Sequence, residues 1–413
     1  MPRTGLLVAA LLALSLGATP SRADPWVFSP PVEVTDAAGE RIFHHLESAG
    51  RRNVAVSAGV VAVAWEDDRD GTPRVYLARK GLDDAGFGES LRVSGEGEAY
   101  EPSLVALGEG RFALAWEEDG RVHARVIDAG RLGPVFRVAN DDSVQASLAV
   151  HDGDLLLAAA EREARFSRIV LHRLGIGADL SLQERRACPV EAAAPKDEQL
   201  YPSLAVQAGR LVVAWEDRRP GHTIIMAAAS PVESPCRFSP VQRISQRDGD
   251  GTGRNMPYGK GHGVARVALA AFGTESVFAA WADKRNFREG YDIWGAPWQP
   301  ATGFGANERV QDDFGGVAQQ WHASVTGHPD GTLVVAWDDE RDGSPSVVMS
   351  WREDGVWSDD VVLPGAGGPG EQANPSIVLD AGGNLHAAWV ERTETGGPTR
   401  LRYAFGRAQD GLQ

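Results

Sequence analysis

In the segment Tyr201-Pro-Ser-Leu-Ala-Val-Gln-Ala-Gly-Arg-Leu-Val-Val-Ala-Trp215-Glu-Asp-Arg-Arg219, two apolar runs flank an Ala-Gly turn, and the second run ends in Ala-Trp followed by acids. Alternation at period two on both sides of a Gly turn predicts a pair of half-buried antiparallel strands. The same pattern ends at Trp65, Trp116, Trp281, Trp337 and Trp389, and a worn copy without its Trp ends at Ala160. Seven copies about fifty residues apart read as seven structural units.

Each unit holds more than a hairpin. A third apolar strand follows the Trp-acid turn, as in Arg74–Arg79, Ile224–Ala229 and Ser346–Trp351, and then a more polar fourth, as in Val241–Ser245 and Asp360–Leu363. Four short strands per repeat, with Gly-rich turns and no segment of helical period, predict the blade of a β-propeller. The last unit stops after its third strand. Phe28-Ser-Pro-Pro-Val-Glu-Val-Thr35 matches Phe238-Ser-Pro-Val-Gln-Arg-Ile-Ser245, a fourth strand elsewhere. The expected fold is therefore an all-β, seven-bladed propeller of four-stranded antiparallel blades, spanning 24–413 and closed by an N-terminal strand that completes the last blade.

Composition narrows the function. The 413 residues carry 41 Lys+Arg against 57 Asp+Glu, a net charge of −16, which disfavours nucleic-acid partners bound through phosphate neutralisation. Met1-Pro2-Arg3, the apolar run Leu6–Leu16 and Ser21-Arg22-Ala23 have the layout of a secretory signal, with cleavage expected after Ala23. No other stretch is apolar for the roughly 20 residues a membrane helix needs. A secreted or periplasmic monomer is expected, with a glycan or an envelope or extracellular protein as partner. In that compartment Cys188 and Cys236 are free to form a disulfide or to remain as two thiols.

Four units share Trp-x-Asp-x-Arg: Trp65/Asp67/Arg69, Trp215/Asp217/Arg219, Trp281/Asp283/Arg285 and Trp337/Asp339/Arg341. Repetition in four blades points to a turn lock, because a catalytic group is needed once. The Pro-Ser starts at Pro102, Pro202 and Pro375, strands such as Gly331–Trp337, and the worn Asp-boxes Ser350–Trp357 and Asp83–Phe87 carry a resemblance. On these, the chain resembles the sialidase-like propellers built from bacterial neuraminidase (Asp-box) repeats. That resemblance implies a glycan-directed propeller. In its catalytic form it implies a Tyr nucleophile with a Glu partner and an arginine triad for a substrate carboxylate. Here the sequence has seven units where that family's sialidases have six, and no Asp-box is intact.

Function is expected where the repeat breaks, on the face where the second strand ends and the inner strand begins. The residue before the Pro-Ser pair differs in every unit: Arg51, Glu101, Gln145, Tyr201, Val264, His322 and Asn374. These would line the channel mouth. A long connector, Arg247–His262, places Tyr258, Lys260 and His262 near Arg266, which stands for the usual Ser. Its Asp248 and Asp250 offer hard oxygen ligands to Ca²⁺, although no cofactor is required. His44-His45 and Arg51-Arg52 precede the first unit and are expected to face Trp321-His322. The expected ligand-binding set is thus Arg51, Arg52, Tyr201, Lys260, His262, Arg266, Arg285, His322 and Asn374. A sialidase-type hydrolase would use Tyr201 or Tyr258 as nucleophile and Glu101 as partner, with Arg52, Arg266 and Arg285 on the substrate. A structural envelope module is the third reading. No P-loop, HExxH, Gly-x-Ser-x-Gly or CxxC pattern is present.

Overall fold

A computed structural model describes residues 24–37, 39, 41–46, 50–246, 263–285, 290–312 and 316–409. They form seven separate antiparallel sheets, six built from consecutive strands and the seventh from the first two strands and the last three. Blade 2 shows the plan: inner strand Ala99–Gly108, second strand Arg111–Glu118, third strand Arg121–Asp128 and a short outer strand Phe136–Arg137. The second strands are the most buried. Those of blades 1 to 7 are Val60–Asp67, Arg111–Glu118, Asp154–Glu163, Arg210–Asp217, Ser276–Asp283, Leu333–Asp339 and Leu385–Arg392. Among the described residues no helix is long and apolar enough to cross a membrane.

The alternation quoted above explains the assembly. A strand with two apolar faces buries both only between two neighbours, and the core divides into seven clusters, each shared by adjacent blades. Each of the six repeat Trp side chains is wholly buried against the preceding blade. Truncating one such ring costs about 3–5 kcal/mol.

The ring closes as the sequence predicts. Trp26–Phe28 and Val32–Glu33 both pair antiparallel with the last third strand, Thr399–Ala408, in the registers Trp26↔Ala408 and Val32↔Tyr403. The last blade is thus made from both ends of the chain, and its strand edge is covered.

Register corrects the worn third copy. Ser147 pairs with Ala158 as Ser103 pairs with Ala115, so Ala159, not Ala160, stands where the Trp would be. Glu161 then aligns with the acid two places after each Trp. His172, on the same face as Ala159, takes over from the indole: its Nε2 lies 2.6 Å from Glu161 Oε1 and its Nδ1 2.7 Å from Glu184 Oε2. Blade 3 also has the longest outer strand, Leu182–Pro189. Cys188 in that strand is disulfide-bonded to Cys236, which follows the third strand of blade 4.

The Trp-x-Asp-x-Arg motif is the turn lock. The indole N–H donates to the Asp in each case, at 2.7 Å for Trp65–Asp67 and 2.9 Å for Trp281–Asp283, and the same carboxylate receives the Arg. The Arg then reaches the outer part of a blade: Arg69 to Thr35, Arg219 to Glu191, Arg285 to Asn307 and Arg341 to Asp360. The Pro-Ser start is a second latch. Ser147, Ser203, Ser324 and Ser376 each accept, through Oγ, a backbone N–H of the next blade (Leu204, Leu269, Ile377 and Asn53).

Candidate functional site

Every inner strand of blades 2 to 7 has a β-bulge just before the Ser position, where it gains one residue on its partner. The bulged residue has a left-handed backbone in all six: Glu101 (φ 54°), Gln145 (63°), Tyr201 (52°), Arg266 (60°), His322 (52°) and Asn374 (55°). Such a bulge re-aims one side chain per blade, here around the axis. The fifth position is therefore Arg266 rather than Val264, and Ala268 takes the place of the Ser. In four of the six, the strained backbone is held by a carboxylate immediately after the Trp of the preceding blade. Glu101 N–H donates to Glu66 at 2.6 Å, Gln145 to Glu117 at 2.6 Å, Arg266 to Glu216 at 2.8 Å and Asn374 to Asp338 at 2.7 Å. Blade 3 has Ala160 there, and Tyr201 N–H instead donates to Gln145 Oε1 at 2.9 Å.

Blade 1 enlarges the bulge into a loop. From His45 to Val54 the chain takes nine steps while its partner strand, from Glu66 to Val63, takes three. Its described part, from Gly50 to Asn53, reaches across the axis. Gly50 has φ +88°, and a Cβ there would lie 2.9 Å from Val267 O and 3.1 Å from Pro202 O, so only glycine fits. Arg52 Nη2 donates to Leu269 O of blade 5 at 3.0 Å. Beneath the loop, a small space of about 10 Å³, room for one water, is lined by inner-strand residues including Ser103, Leu148, Ser203 and Leu269. The mouth is a cup with an arginine floor, not an open conduit.

Across this cup Arg51, 3% exposed, pairs with Glu101 at 2.6 Å and lies 5.5 Å from the Tyr201 ring centroid. The Arg266 guanidinium sits 3.4 Å from the same centroid, so two cations clasp one phenol ring. Burial raises the Glu216 carboxyl above the usual carboxylate range, against the opposing pull of Arg266, Arg218 and Arg51. Glu117 is pushed up to about 8, first by burial and then by the charge of Glu101, to which its side chain is hydrogen-bonded.

On the blade 5–6 side the mouth is aromatic. Tyr291 and Trp321 have ring centroids 3.9 Å apart, Lys284 Nζ stands 5.5 Å from the Tyr291 centroid, and His322 Nδ1 is 2.5 Å from Asp338 Oδ2. Burial raises the Tyr291 phenol, and the charges of Asp283 and Glu216 raise it further, which ties this side to the charged one.

The predicted residues thus divide. Arg51, Arg52, Glu101, Tyr201, Arg266, His322 and Asn374 gather at the mouth. Arg285 is spent in the turn lock, on Asp283, Asn307 and the face of Trp294 at 3.7 Å. His44 packs between blades 7 and 1, its Nδ1 3.1 Å from Thr399 O, and does not face Trp321. Tyr258, Lys260, His262, Asp248 and Asp250 lie outside the described residues. Glu117, Glu216, Tyr291 and Trp321 belong to the site without having been singled out. Glu117 and Glu216 each directly follow a repeat Trp, and that recurrence was the available signal. Among the described residues, one trio brings metal-type ligand atoms within 4.8 Å of one another: His151, Asp152 and Glu233, at the opposite end of the strands.

No family model and no curated protein matches the chain. Solved structures do. A PL25 polysaccharide lyase, an ulvan lyase bound to -[GlcA(1-4)Rha3S]-, superposes with a TM-score of 0.59 at 10% identity, over 89% of this chain and 94% of that one. A puromycin-hydrolysing peptidase of Mycobacterium tuberculosis gives 0.52 at 12% identity, over 90% of this chain and 52% of that one. The GH93 α-L-arabinofuranosidase of Fusarium graminearum, in complex with arabinobiose, gives 0.51 at 12% identity, over 74% and 92%. At such identities the likeness is one of fold: a seven-bladed β-propeller similar in its chain path to carbohydrate-acting enzymes and to a peptidase.

Proposed function

We propose that this protein is a secreted or periplasmic carbohydrate-recognition propeller that takes a glycan into the cup at the channel mouth. The observation that carries the reading is the pairing of an aromatic wall, Tyr291 and Trp321, with a ring of unlike polar side chains re-aimed by the bulges. Sugars present apolar C–H faces and fixed hydroxyl groups. Stacking on an aromatic ring and hydrogen bonding to carboxyl, amide and guanidinium groups answer both. The disulfide and the leader-like first 23 residues support an oxidising compartment. The two carbohydrate-acting enzymes of similar fold support the ligand class.

A sialidase-type hydrolase is the second reading. It is favoured by the Tyr201–Glu101–Arg51 neighbourhood, with Arg52 and Arg266 alongside. Release of a chromogenic sialoside by the wild type, lost in Tyr201→Phe, would establish it.

The binding reading is tested with a glycan array followed by calorimetry on any hit. Trp321→Ala is expected to weaken binding about tenfold, the equivalent of roughly 1.4 kcal/mol of lost stacking, measured at a temperature where circular dichroism shows the variant fully folded. An array with no hits, or a hit indifferent to Trp321→Ala, sinks it.

A further inference from the structure

We propose that Glu101 and Glu117 act as one proton-sharing unit at the channel mouth, and that this unit is the contact for two neighbouring hydroxyl groups of a neutral glycan. The proposal rests on the glycan reading above and adds the group that meets the sugar.

Two carboxyl groups from one blade, on the bulge of its inner strand and the end of its second strand, are hydrogen-bonded to each other. Two carboxylates in hydrogen-bond contact and away from bulk water cannot both stay charged, so the pair holds one proton. Its surroundings settle where. Arg51, from the loop of blade 1, contacts Glu101 at 2.6 Å and fixes the negative charge there. The Gln145 N–H from blade 3 occupies Glu117 Oε1 at 2.6 Å, and the Glu101 N–H is taken by Glu66 of blade 1. The proton therefore belongs to the remaining oxygen of Glu117, directed at Glu101. Burial and the Glu101 charge together push Glu117 up to about 8, so it is a carboxylic acid at neutral pH. One group donates and its neighbour accepts. A pair of adjacent sugar hydroxyls, each both donor and acceptor, can replace the mutual bond without leaving a buried polar atom unsatisfied. A carboxylate ligand has no such fit, since it cannot donate to Glu101.

The sign with pH follows. Glu117 holds its proton more tightly folded than unfolded, so between about pH 4.5 and 8 the folded state binds more protons and loses stability as the pH rises. Binding follows the protonated fraction, so affinity falls about tenfold one pH unit above 8. Glu117→Gln keeps a donor toward Glu101 and an acceptor for Gln145, and cannot ionise.

Three measurements on the full chain decide it. In ¹³C-carboxyl Glu-labelled protein, one Glu resonance should titrate near pH 8 and vanish in Glu117→Gln. The melting temperature of Glu117→Gln relative to wild type should rise between pH 5 and 9. The raised Asp360 carboxyl, at about 7, is common to both proteins and cancels in that difference. A neutral oligosaccharide from the array, with arabinobiose as the first probe, should bind wild type about tenfold more weakly at pH 9 than at pH 7, and the variant equally at both. No Glu titrating near pH 8, or a melting difference constant with pH, overturns the shared proton. A probe whose affinity falls equally in wild type and variant overturns the contact while leaving the glycan reading in place. Absence of any glycan binding overturns that reading and the contact together, whereas the resonance and the melts still decide the proton.

Discussion

Asp217 is 1% exposed, and its carboxylate receives the Trp215 indole N–H at 3.3 Å, the Arg219 backbone N–H at 2.9 Å and the Arg219 guanidinium at 2.8 and 2.6 Å. Its place in the turn explains why the motif recurs: one side chain satisfies the only polar atom of a buried Trp, closes the turn and neutralises the Arg. Removing it would leave an indole N–H and part of a guanidinium without an acceptor in a dry interface. Asp217→Ala is therefore expected to cost about 3–5 kcal/mol in urea unfolding. Asp217→Asn, which keeps one acceptor oxygen, should cost distinctly less. Equal losses would mean that Trp215 gains nothing from its partner. The contrast with the bulge residues is instructive. The turn lock repeats the same chemistry around the ring, whereas Glu101, Gln145, Tyr201, Arg266, His322 and Asn374 share a backbone conformation and nothing else.

At the scale of strands and their connections, much was legible and some was not. Alternation and the Trp-acid ending are local signals, so the second strands could be placed from the sequence with their partners. The third blade misled by one residue because Ala158-Ala159-Ala160 offers no side chain to distinguish its positions, and only cross-strand register separates them. The bulges were invisible as backbone, since no Gly marks a left-handed residue that is held by a carboxylate of another blade. The loop through Gly50 was likewise unreadable, because its contacts lie across the axis in blades 4 and 5. The Cys188–Cys236 bond is a connection of the same long-range kind. It ties the outer strand of blade 3 to blade 4 across a sequence separation of 48 residues. Constraining a loop of that length in the unfolded chain is worth about 4 kcal/mol. Cys188→Ser with Cys236→Ser should lower the melting temperature of the non-reduced protein by several degrees, and adding reductant should then change nothing further. A double variant as stable as the oxidised wild type would show that packing between blades 3 and 4 suffices.

A ring of repeats differs from an open row of them in having no terminal unit. In an open array each blade contacts only its neighbours, and the ends unravel first. Here the first described strand and the last share a blade, so neither terminus can leave without opening an interface on each side. Trp26 holds that latch. It is 3% exposed, meets Trp351 edge-on at 5.9 Å, and donates its indole N–H to Gly383 O at 2.8 Å. Trp26→Ala should therefore cost about 3–5 kcal/mol from the lost burial and cavity, with unfolding still a single transition because Val32–Glu33 keeps its pairing to Thr399–Ala408. Deleting residues 24–33 removes both paired segments and bares the edge of the last third strand. The expected result is a change of kind: calorimetry of the deleted chain should resolve a separate early transition for blade 7, while the wild type melts as one. If the deleted chain melts in one step at the wild-type temperature, the ring does not depend on its latch, and the cup at its mouth owes its shape to the packing between blades alone.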